Sequence, residues 1–498
     1  MIVNETGKNI PNENVSNPEY MKALSEKYDF DLNPKSFDEK NGIVSHDSVL
    51  NSLLQELIPV DFRALADRPE GQELTRKHYL IVSIEQIIKA AERFRWSLCM
   101  NDGFVYIYNG AYWKQLSRME LQNFLGECAE KLGVDKFDAR HFKFREELTK
   151  QFLSSAFMAK PPRSESSVAI NLRNGTFVFT ASRQELRQFD RKDFMTYQLP
   201  FEYDEYADAP LFHKYLDRVL PGKVEQGILA EYIGYIFIKS SVMKLEKALV
   251  LYGNGANGKS VFFEIVNALL GPENVSSYGL ENLTNVNGYY RAMISNKLVN
   301  YASEISPRMD STIFKQLVSG EPVEARLPHH PPLLIKDYAK LIFNTNSLPK
   351  DVEQNIAFFR RFIIVEFDVT IPEEERDPEL SKKIIERELP GVFNWALDGL
   401  RRLLNNGGFS YSQRVAEAIN KYRVQSDSVQ QFLEESNYTP GQSKEQFLQM
   451  LYNDYREFCE NSGNKPCSKN RFADRLRGAG YDLQRKAKGM VVFVNKTV

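Results

Sequence analysis

The stretch Gly253-Asn254-Gly255-Ala256-Asn257-Gly258-Lys259-Ser260 decides how this chain is read. It fits G-x-x-x-x-G-K-[ST], the phosphate-binding loop signature, at every fixed position. The spacing has a chemical reason. Glycines let the backbone curl until its N–H groups point at phosphate oxygens, and the helix that follows presents its N-terminus to them. In such a loop the lysine meets the β/γ-phosphates and the hydroxyl residue ligates magnesium. Upstream, Lys247 to Tyr252 (KALVLY) is a short apolar run suited to a buried strand. Downstream, Val261 to Leu270 carries helical periodicity before a stop at Gly271-Pro272. Strand, loop and helix in that order predict an α/β core that binds ATP with Mg2+ through Gly253 to Ser260.

Length and composition fit an ordinary globular protein. At 498 residues the chain exceeds what one core usually serves, so two to four domains are expected. The net charge is −2 and no 18-residue apolar stretch exists, which argues against a membrane partner. The start, MIVNETGKNIPNENV, has neither the basic opening nor the apolar centre of a signal peptide, so a cytoplasmic location is expected. Cys99, Cys128, Cys459 and Cys467 lack C-x-x-C spacing and nearby histidines, which argues against a zinc or disulfide framework.

The near-neutral total conceals an asymmetry. Residues 1–47 hold five Lys against nine Asp/Glu, a net of −4. Residues 463–498 hold nine Lys/Arg against Asp474 and Asp482, a net of +7, and such an end favours a polyanion. Five segments follow from these shifts. Residues 1–77 read as an acidic, flexible arm, and 78–209 as an α+β N-terminal domain. In the latter, Asn109-Gly110 and Asn174-Gly175 mark hairpin turns. Residues 210–405 read as the nucleotide core with preceding helices, 406–442 as a helical linker, and 443–498 as a basic module. In that module, helices over 444–461 and 468–478 precede two short strands, the pattern of a winged helix.

A phosphate loop alone admits kinases, GTPases, transporters and motors, so the residues after it must decide. Lys297 to Ile305 (KLVNYASEI) reads as a strand closed by an acid, Glu304, placed to engage the magnesium shell and orient an attacking water. Lys340 to Asn346 (KLIFNTN) is a second apolar strand ending in amides that can reach a water or the γ-phosphate. Arg360-Arg361 then precedes Phe362 to Phe367 (FIIVEF). A guanidinium there can stabilise transition-state charge on a neighbouring subunit's nucleotide.

The series NGKS, VNYASEI, LIFNTNSLP and FFRRFIIVEF resembles the superfamily III helicases, specifically the phage, plasmid and poxvirus primase-helicase family. Upstream, INLRNG (170–175) and LPFEY (199–203) resemble that family's domain before the motor; downstream, ELPGVFNWAL (388–397) resembles its helical lid. The resemblance implies an AAA+-like core: a ring-shaped, usually hexameric ATPase that moves 3′ to 5′ along single-stranded DNA and opens duplexes in a bacterial host or phage-infected cell. Residue by residue, it implies Lys259 and Ser260 as the phosphate-loop pair, Glu304 as the catalytic acid and a magnesium ligand with Ser260, and Asn346 as the sensor. Arg360 or Arg361 matches the arginine finger. Some relatives place two acids at the second motif, whereas here Ser303 precedes Glu304.

Between the second and third motifs the family inserts a DNA-gripping hairpin. Here residues 315–332 read KQLVSGEPVEARLPHHPP, two β-like arms around a His-His tip. Arg326, His329, His330 and Lys336 are the candidates for backbone contact there, since cations neutralise phosphates and imidazoles donate hydrogen bonds to them. Lys469, Arg471, Arg475, Arg485, Lys486 and Lys488 are the DNA-binding candidates of the basic module. Asp29-Phe30-Asp31 has the D-x-D form of a polymerising primase, but about 77 residues before the first ordered-looking segment are too few for that fold beside its own core. A primase or polymerase is expected as a separate chain. Two functions remain open at this level: an ATP-dependent DNA helicase acting on single-stranded and forked DNA, or an ATP-switched DNA-binding initiator or regulator that does not unwind processively.

Overall fold

The structure is a computed structural model that describes residues 2–3, 9–10, 45–93, 97–101, 104–155, 168–179, 184–303, 305, 309–327, 332–349, 352–463 and 466–496. The chain is a mixed α/β protein whose largest sheet is five-stranded and parallel. It divides into two compact units, Met1–Arg163 with Phe189–Thr196, and Ser164–Gln188 with Tyr197–Val498.

The first unit begins in the segment expected to be an acidic arm. Helix α1 (His46–Glu56) starts at Ser45, whose hydroxyl accepts from Ser48 N at 3.1 Å. Val49 and Leu53 of α1, then Leu57 and Phe62, are buried with Ile84 and Ile87 of α2 (Arg76–Arg93). The arm therefore does not extend to residue 77. Val49, Leu53 and Leu57 recur every four residues, so one helix face is apolar, and that stripe outweighs the polar composition around it. Asp29 and Asp31 lie outside the described residues. Strands β1 (Ser97–Asn101), β2 (Phe104–Tyr108) and β3 (Trp113–Gln115) form an antiparallel meander. Asn109 makes its turn by accepting from Ala111 N and Tyr112 N at 3.0 and 2.9 Å. Helices α3 (Arg118–Leu132), opened by a Ser117/Glu120 capping box, and α4 (Phe142–Ser155) complete the core.

In the second unit, β4 (Val168–Leu172), β5 (Gly175–Phe179) and β6 (Gln184–Arg187) form an antiparallel sheet. The sequence groups these strands with residues 78–155; their packing assigns them to the nucleotide core instead. Phe177 of β5 packs on Tyr203 at 4.8 Å, and Phe201 packs on Phe393 at 5.5 Å. Asn394 Nδ2 donates to Asp204 O and Ala207 O, both at 2.9 Å. Partners nearly 200 residues apart leave no local signal of this docking.

Helices α5 (Pro210–Val219) and α6 (Lys223–Ile236) lead into β7 (Ala248–Tyr252), followed by α7 (Lys259–Leu270), β8 (Val275–Ser276), β9 (Val299–Ala302) and α8 (Ser311–Ser319). Strands β10 (Val323–Ala325) and β11 (Leu333–Ile335) make a two-stranded antiparallel ribbon, then come β12 (Lys340–Thr345) and β13 (Phe362–Glu366). The main sheet has the order β8-β9-β12-β7-β13. Ala248 to Leu251 of β7 are all 0% exposed, as a parallel strand covered on both faces must be. Helix α9 (Leu389–Asn406) lies against α6 so closely that a Cβ on Gly399 would sit 2.1 Å from Ala230 C. Only glycine fits there.

Helix α10 (Gln413–Gln425) packs on β13, with Tyr422 against Phe359 and Phe362. Helix α11 (Ser428–Glu435), strand β14 (Tyr438–Phe447), helices α12 (Leu448–Ser462) and α13 (Lys469–Gly478), and strands β15 (Leu483–Lys486) and β16 (Gly489–Lys496) form the C-terminal body. Its sheet order is β14-β16-β15. Two boundaries differ from the sequence reading. Val429, Phe432 and Leu433 share a core with Leu451, Tyr455, Phe472 and Val492, so the body starts at α11 rather than at residue 443. Residues 444–447, expected as helix, are strand, because β16 pairs with them from Glu445↔Phe493 to Phe447↔Val491. Tertiary pairing overrides local propensity here.

Candidate functional site

The loop Gly253–Gly258 leaves the carboxyl end of β7, where strand order places a crevice between β7 and its neighbours. Its two sides are fixed by main-chain bonds. Gly253 N donates to Thr345 O at 3.2 Å, and Ile371 N donates to Ala256 O at 2.8 Å. The buried Asn257 donates from Nδ2 to Phe367 O at 2.9 Å. Gly258, at φ +87°, is the N-cap of α7. A Cβ there would lie 2.7 Å from Val219 Cγ1 and 3.1 Å from Tyr215 Cε2, so α5 is seated directly on the loop. The Tyr215 hydroxyl donates to Gly258 O at 2.8 Å. Helix α5 is positioned in turn by the buried Glu388, whose carboxylate accepts from Leu211 N and Phe212 N at 3.1 and 2.9 Å. An acceptor at a helix N-terminus satisfies orphan donors and complements the dipole.

Lys259 is 7% exposed and sits at the start of α7. Its ammonium donates to Gly253 O at 2.6 Å, Asn257 Oδ1 at 3.0 Å and Asn254 O at 3.2 Å. All three acceptors are neutral, and among the described residues no carboxylate pairs with it. Burial holds its pKa below the ordinary lysine value. Ser260, Asn254, Gly255 and Ala256 are exposed around it. A buried cation with no counter-ion among the described residues, at a helix N-terminus beside open backbone, can receive an anion. That is the arrangement a nucleotide's phosphates require, and Ser260's exposed hydroxyl is free of the core and available to a magnesium ion.

The amides at the end of β12 divide. Asn346, the expected sensor, is exposed just past the strand. Asn344 is buried; its Oδ1 accepts from the Tyr301 hydroxyl at 3.0 Å and its Nδ2 donates to Lys259 O at 3.4 Å. Asn344, Tyr301, Tyr215 and Asn257 all brace the loop, and of these the sequence assigns a role only to Asn257. Glu304, the expected catalytic acid, lies outside the described residues, next to the exposed Ser303.

Arg360 and Arg361 have different environments. The Arg361 side chain is 10% exposed and donates to Ser319 Oγ at 3.0 Å and to Ala357 O. The Arg360 side chain is 58% exposed and pairs with Glu246 at 2.9 Å, an acid it shares with Arg361 at 3.3 Å. Arg361 is committed to its own chain, whereas Arg360 stands at the surface.

On the ribbon, Val323, Ala325 and Ile335 face the core, and Arg326 and Lys336 are exposed just beyond the paired residues. Arg326 N donates to Gly288 O at 3.2 Å. The buried Arg291, in the short helix Tyr289–Met293 between β8 and β9, donates to Glu324 O at 2.7 Å and to Leu283 O at 3.1 Å, which ties the ribbon to residues 283–291. His329 and His330 lie outside the described residues. In the C-terminal body, Arg475 pairs with Asp427 at 3.1 Å, Lys469 donates to Gln449 Oε1 at 2.6 Å, and Lys486 pairs with Glu445. Arg471, Arg485 and Lys488 are exposed, and among the described residues they make no ion pair. Among the described residues no helix is long and apolar enough to cross a membrane, and no group of three His, Cys, Asp or Glu could hold a metal.

Residues 73–221 match the family described as D5 N terminal like, and residues 251–361 match a family of unknown function, DUF5906. The second match takes in the end of β7, the loop, β9, β12 and both arginines. Among solved structures, the A form apo structure of the NrS-1 C terminal region is 10% identical, with 84% of this chain and 100% of that chain covered and a TM-score of 0.42. A second, the A form apo structure of NrS-1 C terminal region-CTR(305-718), is 11% identical, with 83% and 99% covered and a TM-score of 0.45.

Proposed function

We propose that the chain is a phage- or plasmid-type replication protein whose second unit is an ATP-driven DNA helicase of superfamily III. The observation that carries this reading is Lys259, a buried ammonium with no counter-ion among the described residues, at the N-terminus of α7 beside the exposed Asn254 to Ala256. In this reading Lys259 meets the β/γ-phosphates, Ser260 ligates Mg2+, and Glu304 and Asn346 orient the attacking water. Asn344 holds the loop from below. Of the two arginines, Arg360 is the finger, because Arg361 is spent on Ser319 and Ala357. An outward arginine acts on another copy's nucleotide, so the active form is a homo-oligomeric ring, six-membered by resemblance. The match of residues 73–221 to D5 N terminal like proteins agrees with a primase-helicase relative. The ribbon, with Arg326, His329, His330 and Lys336, grips the DNA backbone. The C-terminal body serves as a winged helix on DNA, and a separate primase or polymerase supplies synthesis.

The test is ATP-dependent strand separation on a forked duplex with a 3′ single-stranded tail, comparing wild type with Lys259→Ala. Unwinding by wild type alone supports the motor. DNA-stimulated ATPase without unwinding would instead favour an ATP-switched initiator, the reading in which nucleotide controls assembly rather than motion.

A further inference from the structure

A groove of about 640 Å³ opens between β6 and the segment 202–206 in the second unit. Its floor is aromatic: Phe177 and Tyr203 are in ring contact at 4.8 Å, and Tyr206 stands over it 90% exposed. Its rim holds Glu185, Glu202, Asp204 and Glu205, and among the described residues no lysine or arginine lines it. Asp204 accepts from Tyr206 N at 3.0 Å, and among the described residues Glu202, Asp204 and Glu205 make no ion pair. Arg401, a cation close enough to act electrostatically on Tyr203, is turned to Asp398 at 2.6 Å and to Gln184 Oε1 at 2.9 Å. An exposed tyrosine beside uncompensated carboxylates suits a guanidinium or ammonium, which gains a ring face and an ion pair together.

The same chain carries the complementary charge. The turn joining β15 to β16, Arg485-Lys486-Ala487-Lys488-Gly489, is a narrow exposed tip with three cations, and neither Arg485 nor Lys488 has an acidic partner among the described residues. We infer that the Glu202–Tyr206 groove of one copy takes the Arg485–Lys488 turn of a second copy. Charge complementarity within one sequence and the small section of a two-residue turn argue for this occupant over a flat protein face. A copy docked in this way cannot offer the same turn to a polyanion.

The docking is tested without nucleotide or DNA, so it fails or holds independently of the proposed motor. Full-length protein with ordinary nitrogen is mixed with protein labelled with heavy nitrogen, treated with a carbodiimide that joins carboxylates to lysine amines, and digested for mass spectrometry. The expected result is mixed heavy–light peptides joining Glu202 or Glu205 to Lys486 or Lys488. Tyr206→Ala and Arg485→Glu, neither of which removes a reacting group, should lower that yield by roughly tenfold, as removal of one strong interaction does. Absence of heavy–light products, products confined to one copy, or an unchanged yield in both variants would overturn the assignment.

Discussion

Two glycines in one loop should respond in opposite ways to the same methyl group. At Gly258 an alanine must hold φ near +87°, which costs about 1–2 kcal/mol for a residue with a Cβ. Its methyl would also lie 2.7 Å from Val219 Cγ1 and 3.1 Å from Tyr215 Cε2, so α5 must back away, an overpacking cost of about 1–3 kcal/mol. Together these predict a loss of about 2–5 kcal/mol for Gly258→Ala, a large share of the ~5–15 kcal/mol that holds a typical domain folded. At Gly255 a Cβ meets nothing within 4 Å and the position is exposed, so Gly255→Ala should stay within about 0.5 kcal/mol of wild type. The assay is urea unfolding followed by tryptophan fluorescence, for which Trp395 is well placed, 5.0 Å from Phe212 of α5. Val219→Ala combined with Gly258→Ala should be less destabilised than the two single effects added, because the truncated side chain no longer meets the methyl. If Gly258→Ala unfolds with wild-type stability, or Gly255→Ala is as costly, then α5 is not seated on the loop and the bracing argument fails.

Removing Arg361 should destabilise the fold by about 2–4 kcal/mol because it strands buried partners, whereas Arg360→Ala should cost under about 1 kcal/mol and instead lower ATPase at saturating protein; equal effects in unfolding and hydrolysis assays would remove the distinction. Lys340, half-buried with its ammonium over the Tyr235 ring at 4.3 Å, has its pKa pulled down by desolvation to about 8 from 10.5. The unfolded chain therefore binds more protons between those values, so stability is flat below about pH 8 and rises above it, by up to about 3 kcal/mol. Lys340→Met should lack that rise, and identical pH dependence of urea unfolding in the two proteins would contradict the burial argument. Replacing Arg471, Arg485 and Lys488 together by alanine should flatten the salt dependence of single-stranded DNA binding by roughly two in log–log slope, about 0.7 for each phosphate no longer neutralised; an unchanged slope would clear these residues of a part in DNA binding.

The core was readable because its chemistry is local. KALVLY and LIFNTN are apolar enough to be parallel strands covered on both faces, and the loop needs its glycines and lysine at fixed spacing. What stayed hidden depends on partners far away in sequence. Asn344 and Asn346 are two amides two residues apart, and only the Tyr301 hydroxyl, 43 residues upstream, makes Asn344 the buried brace. Adjacent Arg360 and Arg361 are indistinguishable until Ser319 of α8 and Ala357 claim one of them. The arm boundary at 77 and the start of the C-terminal body at 443 follow charge and composition, whereas Val49, Leu53 and Val429 answer to apolar spacing against a distant core.

The loop that carries Lys259 is held by interactions that run outward to the rest of the second unit. Glu388, at the start of α9, caps α5; α5 presses Tyr215 and Val219 against Gly258; and Gly258 opens α7 with Lys259 as its first residue. The opposite wall is set by Phe367 and Ile371, which follow β13 and therefore follow Arg360. A group that draws the Lys259 ammonium away from Gly253 O and Asn257 Oδ1 acts on both walls, because Asn257 also holds Phe367. Close-packed interiors pass such displacements on rather than absorbing them. The physical route from the loop to the surface arginine is thus short: Asn257, Phe367, then β13 back to Arg360. In the proposed reading, where Arg360 acts on another copy's nucleotide, one side-chain amide and one strand are the link between that arginine and the nucleotide of its own copy.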